Sequence, residues 1–254
     1  MTDGTADQAM QAFRHDGSDV GVVLCHGFTG APGSMRPWAD QLVTEGYSVR
    51  LPLLPGHWTR WQDANRTTFD DWLGAVVAAV ADLTSTCRAV VVVGLSMGGT
   101  LALRLAELQP DTIAGLVLVN PSVTTLRPEA RLLPVMRFVT PMFPPIAGDI
   151  AKPGVVEPAY NRLPVRAMHS LWQAWSVVRR DLPKVTVPVL LLHSRVDHTV
   201  EPVNSQIVLD GISSTDVTEI WLENSYHVAT VDYDAQEIFD SSVEFIEKIT
   251  AGLP

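Results

Sequence analysis

Ser96 stands midway between Gly94 and Gly98 in the stretch Gly94-Leu95-Ser96-Met97-Gly98, where a valine-rich run gives way to a helix-like pattern. Glycines on both sides of a serine let the chain turn sharply and let another molecule come close. On a strand-turn-helix bend the hydroxyl is presented at the tip, with the positive end of a helix behind it, which is how a nucleophile is displayed. The spacing alone is weak: composition would produce it in roughly one chain of this size in ten, given the usual glycine content. A plain helix cap is the alternative role for Ser96. The decision rests on whether partners exist.

A serine hydroxyl is a poor nucleophile near neutral pH, so it needs a base and an acid to orient that base. In this topology they follow in the order serine, acid, histidine. Seven histidines compete: His15, His26, His57, His169, His193, His198 and His227. His227, in ENSYHVATVDYD, follows the last strand-like run and precedes the last helical one. Such a loop lies at the carboxyl edge of a parallel sheet, where ligands bind, so His227 is the candidate base. Asp197, in LLLHSRVDHTVEP, occupies the preceding loop and is the candidate acid, with an N-cap role for the next helix as its alternative. His193 and His198 come before any acid in the required order. Asp232 and Asp234 lie beyond His227, at a helix start where acidic side chains serve the dipole. An oxyanion would be held by the amide of Met97 and that of Phe28, the latter in LCHGFTGAPGS where Gly27 and Gly30 relax the backbone. His26 in that loop reads as a structural ring bonded to backbone.

These residues must be positioned by something. Apolar runs at 20–25, 47–52, 89–94, 114–120, 187–193 and 217–222 are short and bounded by Gly, Pro or Asn, as strands buried on both faces are. Helical patterns at 34–45, 69–86, 98–109, 201–211 and 234–250 alternate with them, which implies a mostly parallel sheet flanked by helices. Residues 121–183 break the rhythm. Ten of the chain's 18 prolines fall there, among Phe138, Met142, Phe143, Trp172 and Trp175, and a structureless loop of that length is improbable. The interval reads as a partly helical cap inserted into a core made of 1–120 and 184–254. Met136, Phe138, Phe143, Ile146 and Trp172 are candidates for an apolar pocket wall or for the cap's own core.

The formal net charge of -10 argues against a nucleic-acid surface. Cys25 and Cys87 have no metal-type spacing and fit a reducing, cytoplasmic setting. The acidic start of the chain lacks the basic and apolar regions of a secretory leader, and no apolar run reaches the ~18 to 20 residues of a membrane span.

Taken together, HGFTG, LPGH, GLSMGG, SRVDHTVEP, GISST and NSYHVATVDYD resemble the α/β-hydrolases, and within them the bacterial monoacylglycerol lipases and related small carboxylesterases. The resemblance runs along nearly the whole chain. It implies the α/β-hydrolase fold with a small inserted cap, and a serine hydrolase acting on carboxylic esters, most specifically monoacylglycerols, through Ser96, His227 and Asp197 with Phe28 and Met97 as oxyanion donors. It further implies that Glu157, in VEPAYNRLP, contacts the glycerol hydroxyls; from the residues alone a solvated charge serves equally well. No metal or organic cofactor is called for, and lipid substrates imply a transient membrane-surface contact through the cap. Thioester hydrolysis, acyl transfer and lactone opening use the same constellation. A ligand-binding member of the fold without turnover is the reading from a different class.

Overall fold

A computed structural model describes residues 8–253. Residues 1–7, the first part of the stretch read above against a secretory leader, and residue 254 lie outside it. Strands and helices alternate through the first half, the valine- and leucine-rich runs forming β2, β4 and β5: β1 (Phe13–His15), β2 (Val20–Cys25), α1 (Arg36–Thr44), β3 (Ser48–Leu51), α2 (Phe69–Thr84), β4 (Ala89–Leu95), α3 (Met97–Leu108) and β5 (Gly115–Val119). An inserted stretch follows, with α4 (Leu133–Val139), the short strands β6 (Met142–Phe143) and β7 (Leu163–Pro164), and α5 (Val165–Asp181). The chain returns with β8 (Val189–Ser194), α6 (Val203–Gly211), β9 (Val217–Leu222) and α7 (Ala235–Thr250).

Seven strands form one sheet in the order β1-β3-β2-β4-β5-β8-β9. All neighbours are parallel except β1, which runs antiparallel to β3. The valine runs are explained by the two faces. Val90 and Val92 of β4 join one apolar layer with Trp72, Val76 and Leu101, while Val91 and Val93 join the other with Trp38, Leu42, Ile238 and Phe245. Successive side chains point to opposite faces, so a strand covered by helices on both sides must be apolar at every position. β1 and β9 are the two edges, and the first three residues of β9 are exposed.

Strand β1 escapes a hydrophobicity reading because Phe13-Arg14-His15 has no apolar alternation. It is held by charge instead: Arg50 of β3 donates to the His15 carbonyl at 2.8 Å and pairs with Asp16 at 2.6 Å.

Within the insertion, α5 buries Leu171, Trp175 and Val178 in the same layer as Leu101 and Leu105 of α3, so it packs on the body of the sheet. The preceding stretch is fastened by Asn65, whose side chain donates to the Pro141 carbonyl at 2.6 Å and accepts from the Arg166 amide at 2.9 Å. No helix among the described residues is long and apolar enough to cross a membrane.

Two glycines in helices have opposite roles. A Cβ on Gly98 would overlap the backbone carbonyl of Cys25, so α3 lies against β2 only because that side chain is missing; a Cβ on the exposed Gly74 of α2 would meet nothing. Chemical denaturation should therefore show Gly98→Ala destabilising the protein by about 2 to 3 kcal/mol and Gly74→Ala stabilising it by about 1 kcal/mol; equal effects would contradict this packing.

Candidate active site

β4 ends at Leu95 and α3 begins at Met97, leaving Ser96 alone on the bend with φ 57° and ψ -116°. A non-glycine residue there is strained and persists only when its surroundings fix it. Here the Ser96 N–H donates to the Val119 carbonyl at 3.0 Å, and the Ser96 carbonyl accepts from Gly99 at 2.9 Å and Ser122 at 3.2 Å. The Met97 amide opens α3. Among the described residues neither it nor the Phe28 amide donates to another protein group.

Phe28 follows the carboxyl end of β2, the strand next to β4, so both amides come from the point where the strand order reverses. Its ring tilts on Trp72 at 5.6 Å and meets His57 edge-on at 6.2 Å. His26 donates from Nδ1 to the Gly27 carbonyl at 2.9 Å and accepts the Leu54 N–H at 3.2 Å on Nε2. Burial pushes its pKa down to about 3, so it is a neutral loop brace.

The side chain of Asp197 is fully buried, and its Oδ2 accepts the Nδ1–H of His227 at 2.7 Å. Its other oxygen accepts the amides of Thr199 at 2.8 Å and Val200 at 2.7 Å. The N-cap alternative is not realised: α6 begins at Val203 with Pro202 as its cap, and the amides that Asp197 takes belong to the loop before it. Burial opposes charge on both side chains, yet the attraction between them prevails: the Asp197 carboxyl is held below its ordinary range and the His227 imidazole above its own. With Nδ1 engaged, Nε2 of His227 is the nitrogen left to take up a proton. His193 is occupied elsewhere, by the Ser205 hydroxyl at 2.5 Å and the Val200 carbonyl at 3.2 Å.

Several bracing residues carry no motif of their own. Asn120, with φ 45° at the end of β5, donates to the His227 carbonyl at 2.8 Å and accepts the Ser194 N–H at 2.8 Å. Ser194 passes the support on to the Tyr226 carbonyl at 2.8 Å. Asp149, from the insertion, accepts from the His198 ring at 2.8 Å, from the His198 amide at 3.0 Å and from the His227 amide at 3.3 Å. Asp232 and Asp234 have a role different from the dipole role expected of them. Asp232 takes the amides of Ala151 and Tyr226, at 2.7 Å and 2.9 Å, and so ties the insertion to the His227 loop. Asp234 takes those of Asn224 and Ser225, at 2.9 Å and 2.8 Å, and folds that loop. In the sequence Asp232 and Asp234 stand near the loop histidine, whereas Asp149 is 78 residues away from it and gives no signal.

Ser96, His227, Phe28 and Glu157 all line one cavity of about 600 Å³. Its walls include Met136, Phe143 and Ile146 as expected, together with Leu163, Met168 and Leu171, which the sequence did not single out. Phe138 is instead 76% exposed with the Arg137 guanidinium over its ring, and Trp172 stacks on His169 and faces a neighbouring cleft. The stretch changes from helix to strand between Phe138 and Phe143, so no single spacing told inward from outward aromatic residues. Glu157 accepts the Gly148 amide at 2.8 Å. Burial pushes its pKa up, partly offset by that amide and by His227.

A strained serine at a strand-helix bend, a buried acid-histidine pair and free amides beside one cavity form the setting of an acyl-transfer centre. The model of the alpha/beta hydrolase family matches residues 22–240. The chain is 40% identical over 241 residues to a thermostable monoacylglycerol lipase of Bacillus sp. (strain H-257), covering 94% of each. It is 25% identical to a carboxylesterase of Bacillus subtilis (strain 168), covering 93% of this chain and 96% of that one. Among solved structures, one described with the metagenome-derived lipolytic enzymes LipS and LipT superposes with a TM-score of 0.92 at 38% identity, covering 94% of this chain and 98% of that chain. This chain belongs to the alpha/beta hydrolase family.

Proposed function

We propose that the protein is a serine hydrolase of carboxylic esters whose substrates are monoacylglycerols. The observation that carries this is the 2.7 Å bond from His227 to a buried Asp197, in a cavity whose wall also holds Ser96 on its strained bend. In the reaction Nε2 of His227 removes the Ser96 proton as Oγ attacks the ester carbonyl. The oxyanion is taken by the amides of Phe28 and Met97, and Asp197 stabilises the imidazolium. His227 then protonates the leaving glycerol oxygen and activates the water that hydrolyses the acyl-serine. Each oxyanion donor contributes ~3 to 4 kcal/mol to lowering the barrier.

The apolar walls suit an acyl chain, and the carboxylate of Glu157 suits glycerol hydroxyls. Similarity to a monoacylglycerol lipase along 94% of both chains supports the same substrate class. In this reading residues 121–183 act as the cap, with 121–164 covering the cavity and α5 serving as a wall fixed to the core formed by 1–120 and 184–254. The exposed Leu132, Val135, Phe138 and Val139 on and beside α4 would touch a lipid surface briefly while substrate enters. The two free thiols, Cys25 buried and Cys87 half-buried, suit the cytoplasm.

Ser96→Ala should remove the burst of nitrophenol from a nitrophenyl ester and lower turnover by ~10³-fold or more with circular dichroism unchanged; turnover close to the parent level would overturn the nucleophile. Glu157→Ala should lose activity on monoacylglycerol and keep it on simple nitrophenyl esters, and equal losses on both refute the head-group role. The acid limb of kcat/KM follows His227, which must be neutral to act, so its midpoint lies above the ordinary 6.5. Because the carboxylates of Glu157 and Asp149 both favour the imidazolium, Glu157→Gln and Asp149→Asn should each move that limb to lower pH. A limb that stays put or moves up in both variants would show that another group controls it.

A further inference from the structure

Behind the acyl cavity lies a second cleft of about 410 Å³ that shares Thr124, Arg127 and Trp175 with it. Three arginines line it, Arg127, Arg131 and Arg179, and no acidic residue does. That is unusual in a chain whose 28 carboxylates outnumber its 18 cations. Among the described residues none of the three is in an ion pair with a carboxylate; Arg127 donates to the His198 carbonyl at 2.9 Å and Arg179 to the carbonyl of Val123. Those carbonyls orient two guanidinium groups and neutralise neither. Burial pulls the Arg179 pKa down. Trp175 is 6% exposed and belongs to the wall of both cavities, and its indole N–H is buried without a hydrogen-bond partner.

We propose that this cleft binds the carboxylate of an aliphatic acid, its arginines taking the head and Trp172, Trp175 and Leu126 flanking the chain. A planar guanidinium matches a carboxylate in two parallel hydrogen bonds, and the apolar walls select an anion that carries an alkyl tail over an inorganic one. The inference rests on the ester-hydrolase reading only for the source of the ligand, since hydrolysis of a fatty acyl ester releases such an acid beside the cleft. The cleft would hold the released acid away from Ser96.

The test separates the two cavities by first blocking Ser96 with an alkyl phosphonate, the addition being read by mass. Decanoate should then still bind the blocked protein at one site in titration calorimetry. 1-Decanol should not bind, and affinity should fall as salt rises. Arg131→Gln with Arg179→Gln should weaken decanoate by about tenfold or more and leave turnover of a short nitrophenyl ester unchanged. Arg131 is exposed, so Arg131→Gln alone should weaken binding severalfold even if the Arg179 variant fails to fold. No binding to the blocked protein, equal affinity for 1-decanol, or affinity indifferent to Arg131→Gln overturns the site. A phosphonate that adds no mass rejects the serine reading instead, and decanoate binding to the untreated protein, read with the same variants, still decides this one.

Discussion

Everything about the site depends on one hydrogen bond, from His227 to the buried carboxylate of Asp197. Asp197 and His227 come from different loops, and their bond is useful only if the imidazole is held in a single orientation with the right nitrogen free. Burial alone would neutralise both partners. The protein offsets that cost by giving Asp197 two backbone amides on its second oxygen, so the carboxylate is solvated by the chain itself. Asn120, Ser194 and Asp149 then fix the backbone on either side of the imidazole. The pair is the centre of a hydrogen-bonded frame that spans β5, the loops after β8 and β9, and the insertion.

The strained serine follows the same logic on the other side of the cavity. Its unfavourable backbone angles are held by β5 through Val119 and by Ser122 just beyond, the segment that also leads into Asn120. One crossing point of the sheet therefore fixes both Ser96 and the His227 loop. Parallel strands make this economical, because several carboxyl ends open onto the same edge and short loops can meet there.

Much of this was legible in the sequence, and the reasons are physical. The valine runs of β2 and β4 announce strands because a doubly covered sheet tolerates no polar position, and the bend at Ser96 announces itself by flanking glycines. Strand β1 was not legible, since Arg50 holds it through charge. Nor were the roles of Asp149 and Asp232, because a carboxylate that accepts backbone amides from a distant loop leaves no periodic trace. The aromatic residues of the insertion could not be divided between cavity wall and cap core for a related reason. Phe138 and Phe143 are five residues apart in a stretch that changes from helix to strand between them, so no single period assigns their faces.

The way the insertion is moored divides its labour. Residues 149–152 are locked to the His227 loop through Asp149 and Asp232, whereas the cavity walls contributed by Leu132, Leu133, Met136, Phe143 and Ile146 hold none of the groups that orient the imidazole. Replacements in the outer stretch can recut the lumen for longer, shorter or bulkier tails while the chemistry beneath is untouched. A scaffold built this way can acquire new tastes without relearning its trade.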